Sequence, residues 1–267
     1  MKSKILVIGI DGLNLQMALT TGCAPTISSL HAQGFFTTLT VDAPTYSGPG
    51  WSTLLTGSTH DQHGVKDNSF VGHKLLHRPD LLSLAYYQDQ STTTFAAAGW
   101  PPLVDPAGHG PVIHERREQQ KAYRHRVIVR DGETYGYTVA DAEVQAAAMY
   151  AVEKHGPDVS FVYFCGADES AHSFGAVGDE YRTAISRIDN YVDNLLLAVK
   201  SRSSVDEPWL VVITTDHGHL DEGGHGGDSP QERASFVIAL GIGRANPAWP
   251  ADLQAHDLTP LILSERV

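Results

Sequence analysis

Short, wholly apolar runs recur along the chain and alternate with longer amphipathic stretches. Ile5–Ile10, Val159–Phe164 and Trp209–Thr214 show no regular alternation with polar residues, which is typical of parallel strands that are buried on both faces. Further strands are predicted at 35–41, 92–98, 127–129 and 234–240.

The stretches between these runs have helical patterns. Residues 179–200 carry apolar side chains at helical spacing, among them Tyr181, Ile185 and Leu195. Other helical segments are predicted over most of 13–33, at 49–57, 79–88 and 139–154, with a short closing segment at 258–263. Strands that alternate with helices predict an α/β fold with a doubly wound, mostly parallel sheet and helices on both faces.

The length of the chain and its proline and glycine positions bear on domain organisation. With 267 residues the chain is long enough for one large α/β domain, and we expect residues 1–267 to form it. Residues 58–70 are predicted to be a polar loop. Gly99-Trp100-Pro101-Pro102 begins an irregular excursion that ends near Tyr137. We predict that residues 100–137 form a small cap insert over the functional site.

Composition and charge exclude some classes of protein. The formal charge of −12 argues against a nucleic-acid-binding surface or an anionic-membrane-binding surface, because no basic field attracts polyanions. Cys23 and Cys165 are too few for a disulfide framework. We expect both thiols to be reduced, and the sequence shows no targeting signal and no apolar stretch long enough to span a membrane. These features together predict a cytoplasmic protein. The sequence leaves the oligomeric state open.

Acidic residues follow three of the predicted strands. Asp11 comes directly after the first run, Asp168 follows the run that ends at Phe164, and Asp216-His217 follows Thr214. The carboxyl ends of parallel strands meet at one edge of a sheet, where ligands bind. A lone aspartate there is usually a helix cap. Three carboxylates repel one another unless cations hold them, so a metal cluster is favoured.

Histidines accompany these carboxylates. His172 comes four residues after Asp168, His217 is adjacent to Asp216, and His225 lies in a glycine-rich turn. Carboxylate and imidazole together suit Zn²⁺, and also Mn²⁺ or Fe.

A serine precedes one predicted helix. Pro49 fits the first helical position and Gly57 the stop, which puts Ser47 just before the helix N-terminus. A serine there is either an N-cap or a nucleophile that gains from the helix dipole, and position alone favours the cap.

Taken in order, these motifs resemble the type I phosphodiesterase/nucleotide pyrophosphatase branch of the alkaline phosphatase superfamily. The matching pieces span residues 9–226. They are Gly9-Ile10-Asp11-Gly12, Pro44-Thr45-Tyr46-Ser47-Gly48-Pro49, Leu55-Thr56-Gly57, His63-Gly64-Val65, Asp168 with His172, Asp216-His217-Gly218, and Gly224-His225-Gly226.

The resemblance implies two divalent metal ions, with Zn²⁺ the first choice. One would be held by Asp168, His172 and His225, and the other by Asp11, Asp216, His217 and the Ser47 oxygen. It also implies that Ser47 is the nucleophile and forms a phosphoserine intermediate. Thr45 is the fallback nucleophile, and Ser52 is less favoured.

Substrate contacts are predicted at the start of the same helix. The N–H groups of Gly48 and Gly50 could donate to a phosphoryl oxygen, and Trp51 could contact a leaving group or pack in the core. Gly50 stands where the branch usually has an asparagine. Backbone N–H groups or a side chain of the 100–137 insert would then replace that donor.

Other polar residues near the motifs receive weaker assignments. His219 and Asp221 are predicted to be partners of the metal ligands, with solvated turn residues as the alternative. His60 and His63 are predicted to be loop structure, and the sulfatase signature Cys-x-Pro-x-Arg is absent.

The expected function is a two-metal phosphohydrolase that acts on a small-molecule phosphate diester or monoester. Two alternatives stay open. One is hydrolysis of a carbon–phosphorus bond, as in phosphonoacetate hydrolases. The other, least favoured, is a non-catalytic metal-stabilised binding module.

Overall fold

A computed structural model describes residues 2–203 and 206–266 of the chain. The strands, numbered along the chain, are β1 Lys4–Ile10, β2 Phe35–Thr40, β3 Thr94–Ala98, β4 His125–Val129, β5 Val159–Phe164, β6 Trp209–Thr214 and β7 Ala234–Ile242. The helices of the first half are α1 Leu15–Thr20, α2 Pro25–Gln33, α3 Ser47–Thr56, α4 His60–His63, α5 Leu81–Gln88, α6 Pro101–Val104, α7 Arg117–Lys121 and α8 Gly132–Tyr135. Those of the second half are α9 Tyr137–His155, α10 Gly166–Phe174, α11 Asp179–Arg202 and α12 Leu258–Ser264.

The strands form one seven-stranded sheet in the order β2-β7-β6-β1-β5-β3-β4. Strand β7 runs antiparallel to both of its neighbours, and the other pairs are parallel. The central strand β1 pairs with β5 on one side and β6 on the other, so the ends of these three strands lie next to one another.

Both faces of the sheet are covered by helices. On β1, Leu6, Ile8 and Ile10 belong to one buried cluster, with side chains from α2, α9 and α11, while Ile5 and Val7 belong to another, with side chains from α3, α5 and α12. This alternation confirms the predicted doubly wound α/β fold. Among the described residues, no helix is both long and apolar enough to cross a membrane.

The segment predicted as a cap insert joins the sheet in its middle. Strand β4 extends the sheet by pairing with β3 in parallel, so residues 125–129 are an edge strand rather than part of a separate layer. The ends of the segment, at Trp100, Glu133 and Tyr137, line a cavity beside the predicted site. The division into one domain with an insert stays a prediction.

Two helices near the site differ from the expectation. Helix α3 begins at Ser47 rather than at Pro49, and its N-cap is Tyr46, so Ser47 is not a cap. Helix α10, which was not predicted, places Asp168 in its first turn instead of at a strand tip, and puts His172 one turn further along. The polar loop after α3 also contains the short helix α4 with a Thr59/Gln62 capping box.

Asp141 of α9 fixes the start of α10. Its buried carboxylate accepts hydrogen bonds from the N–H groups of Cys165 and Gly166, at 3.2 and 2.8 Å. These are donors at a helix N-terminus that would otherwise lack partners. Burial raises the pKa of Asp141 to about 7, although these N–H groups favour its ionised form.

We expect Asp141→Ala to lower the free energy of unfolding by about 1–3 kcal/mol, because two buried N–H groups lose their acceptor. Urea unfolding of the metal-free protein measures the change. Asp193→Ala, on the exposed face of α11, is the matched control and should change stability by less than about 0.5 kcal/mol. Equal effects of the two substitutions would show that Asp141 does not hold α10.

Candidate active site

The residues predicted from the three strand ends converge at the carboxyl edge of the sheet. Asp11 follows β1, Asp216 and His217 follow β6, and Asp168 lies in α10 just after β5. All four side chains are buried, with exposed fractions between 0 and 9%. The convergence follows from the neighbouring positions of β5, β1 and β6 in the sheet.

A first group of ligand atoms surrounds His217 Nε2. This nitrogen lies 3.2 Å from Asp11 Oδ1, 3.3 Å from Asp216 Oδ2 and 3.2 Å from Ser47 Oγ. Ligand atoms bound at about 2.0–2.1 Å in a tetrahedral arrangement lie about 3.3 Å apart. The other three atoms therefore lie at a distance from His217 Nε2 that suits ligands of one metal ion, and Asp11, Asp216 and His217 offer ligand atoms within 4.8 Å of one another.

A second group surrounds Asp168. Its Oδ1 atom lies 3.5 Å from Nε2 of both His172 and His225, and those two nitrogens are 3.0 Å apart. The spacing again suits a single cation. His219 Nε2 is nearer still to Asp168 Oδ1, at 2.8 Å, so a third imidazole, predicted as a partner of the ligands, joins this group.

Some carboxylate oxygens of the first group lack hydrogen-bond partners among the residues that the structure describes. Within those residues, Asp11 Oδ1 and both oxygens of Asp216 are fully buried without a partner. Burial of an unpaired charged oxygen is costly, and protein interiors normally compensate it with a donor or a cation. The described residues thus fit a metal ion at this position.

The charges of the site favour cations. Burial opposes protonation of His217, but the carboxylates of Asp216 and Asp11 outweigh it and raise its pKa to about 10. Burial and the nearby Asp11 carboxylate raise the pKa of Asp168 to about 6. Burial lowers the pKa of His219 and of His225 to about 4, which keeps these imidazoles neutral, as metal binding requires.

Two aromatic side chains position Asp11. The Tyr163 hydroxyl and the Trp51 indole N–H donate to Asp11 Oδ2 at 2.5 and 2.9 Å. This leaves Oδ1 directed at His217. Next to it, Gly12 has φ +59°, and a Cβ atom there would lie 2.4 Å from His219 Nε2, so only glycine fits.

The contacts argue against the three predicted substrate contacts. Trp51 is fully buried and its N–H is used by Asp11. The Gly48 N–H donates to Asn68 Oδ1, and the Gly50 N–H donates to Tyr46 within the helix. A Cβ atom at Gly50 would lie 3.0 Å from that of Asp216, so a larger residue such as asparagine would enter only if Asp216 shifted by a few tenths of an ångström.

The hydroxyl groups near α3 differ in their partners. Ser47 Oγ faces His217, whereas Thr45 Oγ1 donates to Gly227 O at 3.1 Å and accepts from Gly226 N at 2.9 Å. Thr45 therefore holds the glycine-rich turn of His225. Ser52 is buried in the interior of α3 and has no hydrogen-bond partner among the described residues.

Asn68 was missed by the sequence analysis. Its Oδ1 accepts the Gly48 N–H at 2.7 Å, which turns the amide towards the start of α3 and leaves Nδ2 as a donor. Asn68 lines the same cavity as Ser47. Nothing in its polar loop distinguishes it locally, because the contact with Gly48 depends on the path of the chain.

The cavity at the site, which we call the site cavity, has a volume of about 280 Å³. It is lined by Ser47, Asn68, Trp100, Glu133, Tyr137, Tyr163, Cys165, Asp168, Glu169, His172, Ser173 and His225.

A paired arrangement of carboxylates and imidazoles beside a serine, at the edge of a doubly wound sheet, defines a candidate phosphoryl-transfer centre. The family model described as type I phosphodiesterase/nucleotide pyrophosphatase matches residues 5–226. The chain belongs to this family, which confirms the resemblance of its motifs. Membership supports a phosphoesterase-type activity of the alkaline phosphatase superfamily.

A curated relative and two solved structures illustrate the similarity. GPI ethanolamine phosphate transferase 1 of Emericella nidulans is 24% identical over 240 residues, which is 86% of this chain and 24% of that protein. The chain thus spans about a quarter of that relative. Phosphonoacetate hydrolase from Sinorhizobium meliloti with phosphonoformate has a TM-score of 0.71 at 12% identity, covering 100% of this chain and 96% of that one. Human ectonucleotide pyrophosphatase/phosphodiesterase 5 has a TM-score of 0.68 at 15% identity, covering 98% and 94%. Both structures share the fold.

The stability of the metal-free protein should fall as the pH rises from 6.5 to 9. The folded-state pKa of His217, about 10, lies above the unfolded value of about 6.5, so its stabilising contribution is complete below pH 6.5 and is lost as the pH approaches 10. Urea unfolding in a chelator, at several pH values, measures the slope.

His217→Gln should flatten this slope, and the exposed His155→Gln should leave it unchanged. Saturation with a divalent metal should also remove the fall, because a cation replaces the proton between the carboxylates. If the unfolding free energies of the wild type and of His217→Gln fell with pH at the same slope, the positive charge would not lie on His217.

Proposed function

We propose that the protein is a two-metal-dependent phosphohydrolase that cleaves esters of phosphate through a covalent phosphoserine. The observation that carries the proposal is the convergence of Ser47, Asp11 and Asp216 around His217 Nε2, all at 3.2 or 3.3 Å from it. Family membership supports the reaction class.

The chain offers two sets of residues to hold the cations. Asp11, Asp216, His217 and Ser47 would hold one, and Asp168, His172 and His225 the other, with His219 donating to Asp168 to orient its carboxylate. When bound, the two ions would lower the pKa of the Ser47 hydroxyl and stabilise negative charge on the phosphoryl oxygens. Zn²⁺ suits this mixture of imidazole and carboxylate, and Mn²⁺ or Fe could replace it.

Ser47 is the proposed nucleophile because of its position and because its oxygen faces the first group of ligand atoms. It is the first residue of α3, so its backbone is fixed while its Oγ points towards His217. Attack by Oγ forms the serine–phosphorus bond and breaks the bond to the leaving alkoxide. Attack by water on the phosphoserine then releases phosphate or its monoester and restores Ser47.

Asn68 is the proposed donor to a phosphoryl oxygen. Its Oδ1 is held by the Gly48 N–H, which leaves Nδ2 as a donor in the cavity that Asn68 and Ser47 both line. It takes the role that the sequence analysis sought in backbone N–H groups or in the 100–137 insert.

A second candidate is transfer of the phosphoryl group to an alcohol instead of water. The name of the Emericella relative, a phosphate transferase, favours it. Both reactions share the phosphoserine and differ only in the acceptor. The preference among diesters, monoesters and phosphonates stays open. Residence in the cytoplasm stays a prediction.

Ser47→Ala should lower kcat for aryl phosphate hydrolysis by a factor on the order of 10³ or more, because the covalent step loses its nucleophile. The metal-loaded variant should be assayed with 4-nitrophenyl phosphate, bis(4-nitrophenyl) phosphate and phosphonoacetate. Ser52→Ala, in the same helix but away from His217, is the control and should retain activity. Full activity of Ser47→Ala would remove the assigned nucleophile.

Asn68→Ala should lower kcat by about 10²–10³ with a smaller change in KM, since its amide acts mainly on charge that develops in the transition state. Ser69→Ala, on the next residue of the same loop, controls for general disturbance of the loop. A change in KM alone would mean that Asn68 binds the substrate without stabilising the transition state.

A further inference from the structure

Thr45 makes three hydrogen bonds to the turn that carries His225. Its carbonyl oxygen accepts from His225 Nδ1 at 2.7 Å, and its hydroxyl oxygen accepts from Gly226 N at 2.9 Å and donates to Gly227 O at 3.1 Å. Thr45 is only 1% exposed, so water does not compete for these contacts. One residue thus holds both the side chain and the main chain of a segment that offers a metal ligand.

The carbonyl group of Thr45 determines the tautomer of His225. A carbonyl oxygen only accepts hydrogen bonds, so the contact places the ring proton on Nδ1. In the neutral ring, Nε2 then carries no proton and offers its lone pair. This nitrogen lies 3.5 Å from Asp168 Oδ1 and 3.0 Å from His172 Nε2, among the atoms of the second group. A hydrogen bond from the other ring nitrogen commonly fixes histidines that bind metals in this way.

The hydroxyl group of Thr45 fixes a turn that has little rigidity of its own. Four of the five residues at 223–227 are glycines, which have the greatest conformational freedom in the unfolded chain. Gly226 has φ +113°, and a Cβ atom there would lie 2.5 Å from the Tyr46 ring, so the close approach of the turn to residues 45 and 46 requires glycine. A hydroxyl that bonds the peptide groups on both sides of Gly226 removes much of this freedom.

The position of Thr45 in the chain connects the two groups of ligand atoms. Thr45 holds His225 of the second group, and Ser47, two residues later, belongs to the first. The hydroxyl of Thr45 already has two partners in the turn, whereas that of Ser47 faces His217. These contacts give Thr45 a role in metal binding rather than the role of fallback nucleophile.

We propose that Thr45 is the positioning residue of His225, and that its hydroxyl sets the affinity for the cation of the second group. The proposal rests on the two-metal function assigned above, and it adds a residue that acts on one of the two cation sites. The cation of the first group should be little affected, because Asp11 is held by Trp51 and Tyr163 instead.

The zinc content of the metal-loaded protein tests the proposal without an activity measurement. Thr45→Val removes the hydroxyl and keeps the shape of the side chain, and Thr45→Ala removes it together with the methyl group. After dialysis against buffered free Zn²⁺, we expect two ions per chain in the wild type and one in either variant. The affinity for the lost ion should fall by about 10–100-fold, as measured by competition with a chelator. Thr45→Ser keeps the hydroxyl and should retain both ions.

Thr259→Val is the matched control. Thr259 is also 1% exposed, and its hydroxyl donates to the main chain of α3, to Leu54 O at 2.8 Å, so its replacement should keep both ions. A double-mutant cycle identifies the path of the effect. In a His225→Ala background, Thr45→Val should cause no further loss of affinity, because the ligand that Thr45 positions is already gone.

Unchanged zinc affinities in Thr45→Val and Thr45→Ala would overturn the proposal. So would the same loss of affinity with and without His225, since Thr45 would then act by another path. Loss of phosphatase activity with both ions retained would also overturn it and would make Thr45 the nucleophile. Fewer than two zinc ions in the wild type would instead defeat the proposed two-metal function, so the two failures can be told apart.

Discussion

The site depends on the mutual repulsion of three buried carboxylates. Asp11, Asp168 and Asp216 meet where β1, β5 and β6 lie side by side, and all three side chains are buried. In the metal-free protein the proton on His217 offsets part of this repulsion. Protonation of Asp168 and Asp216, whose pKa values burial raises, or a positive charge among the three residues relieves this repulsion, and a bound cation in that place underlies the proposed metal dependence.

Rigid elements support the groups that are proposed to react. Ser47 is the first residue of α3, and Asp168 lies in the first turn of α10, whose start is fixed by Asp141. Asp11 is held by Trp51 and Tyr163. Because Asp11 is held by hydrogen bonds from the core and because Ser47 and Asp168 lie in the first turns of helices, little reorganisation would be needed when charge develops on a phosphoryl oxygen.

The order of the apolar runs determined the α/β class. The acidic residues that follow these runs determined the convergence of the three aspartates, because parallel strands place their carboxyl ends at one edge of the sheet. Only the tertiary structure decided the roles of residues whose partners are distant in sequence. Asn68 reaches Gly48, His219 reaches Asp168, and β4 joins the sheet as an edge strand. Trp51, a predicted substrate contact, proved to be a buried support of Asp11. Such contacts depend on the path that each loop takes through the folded protein, and the local pattern of apolar residues carries no information about that path.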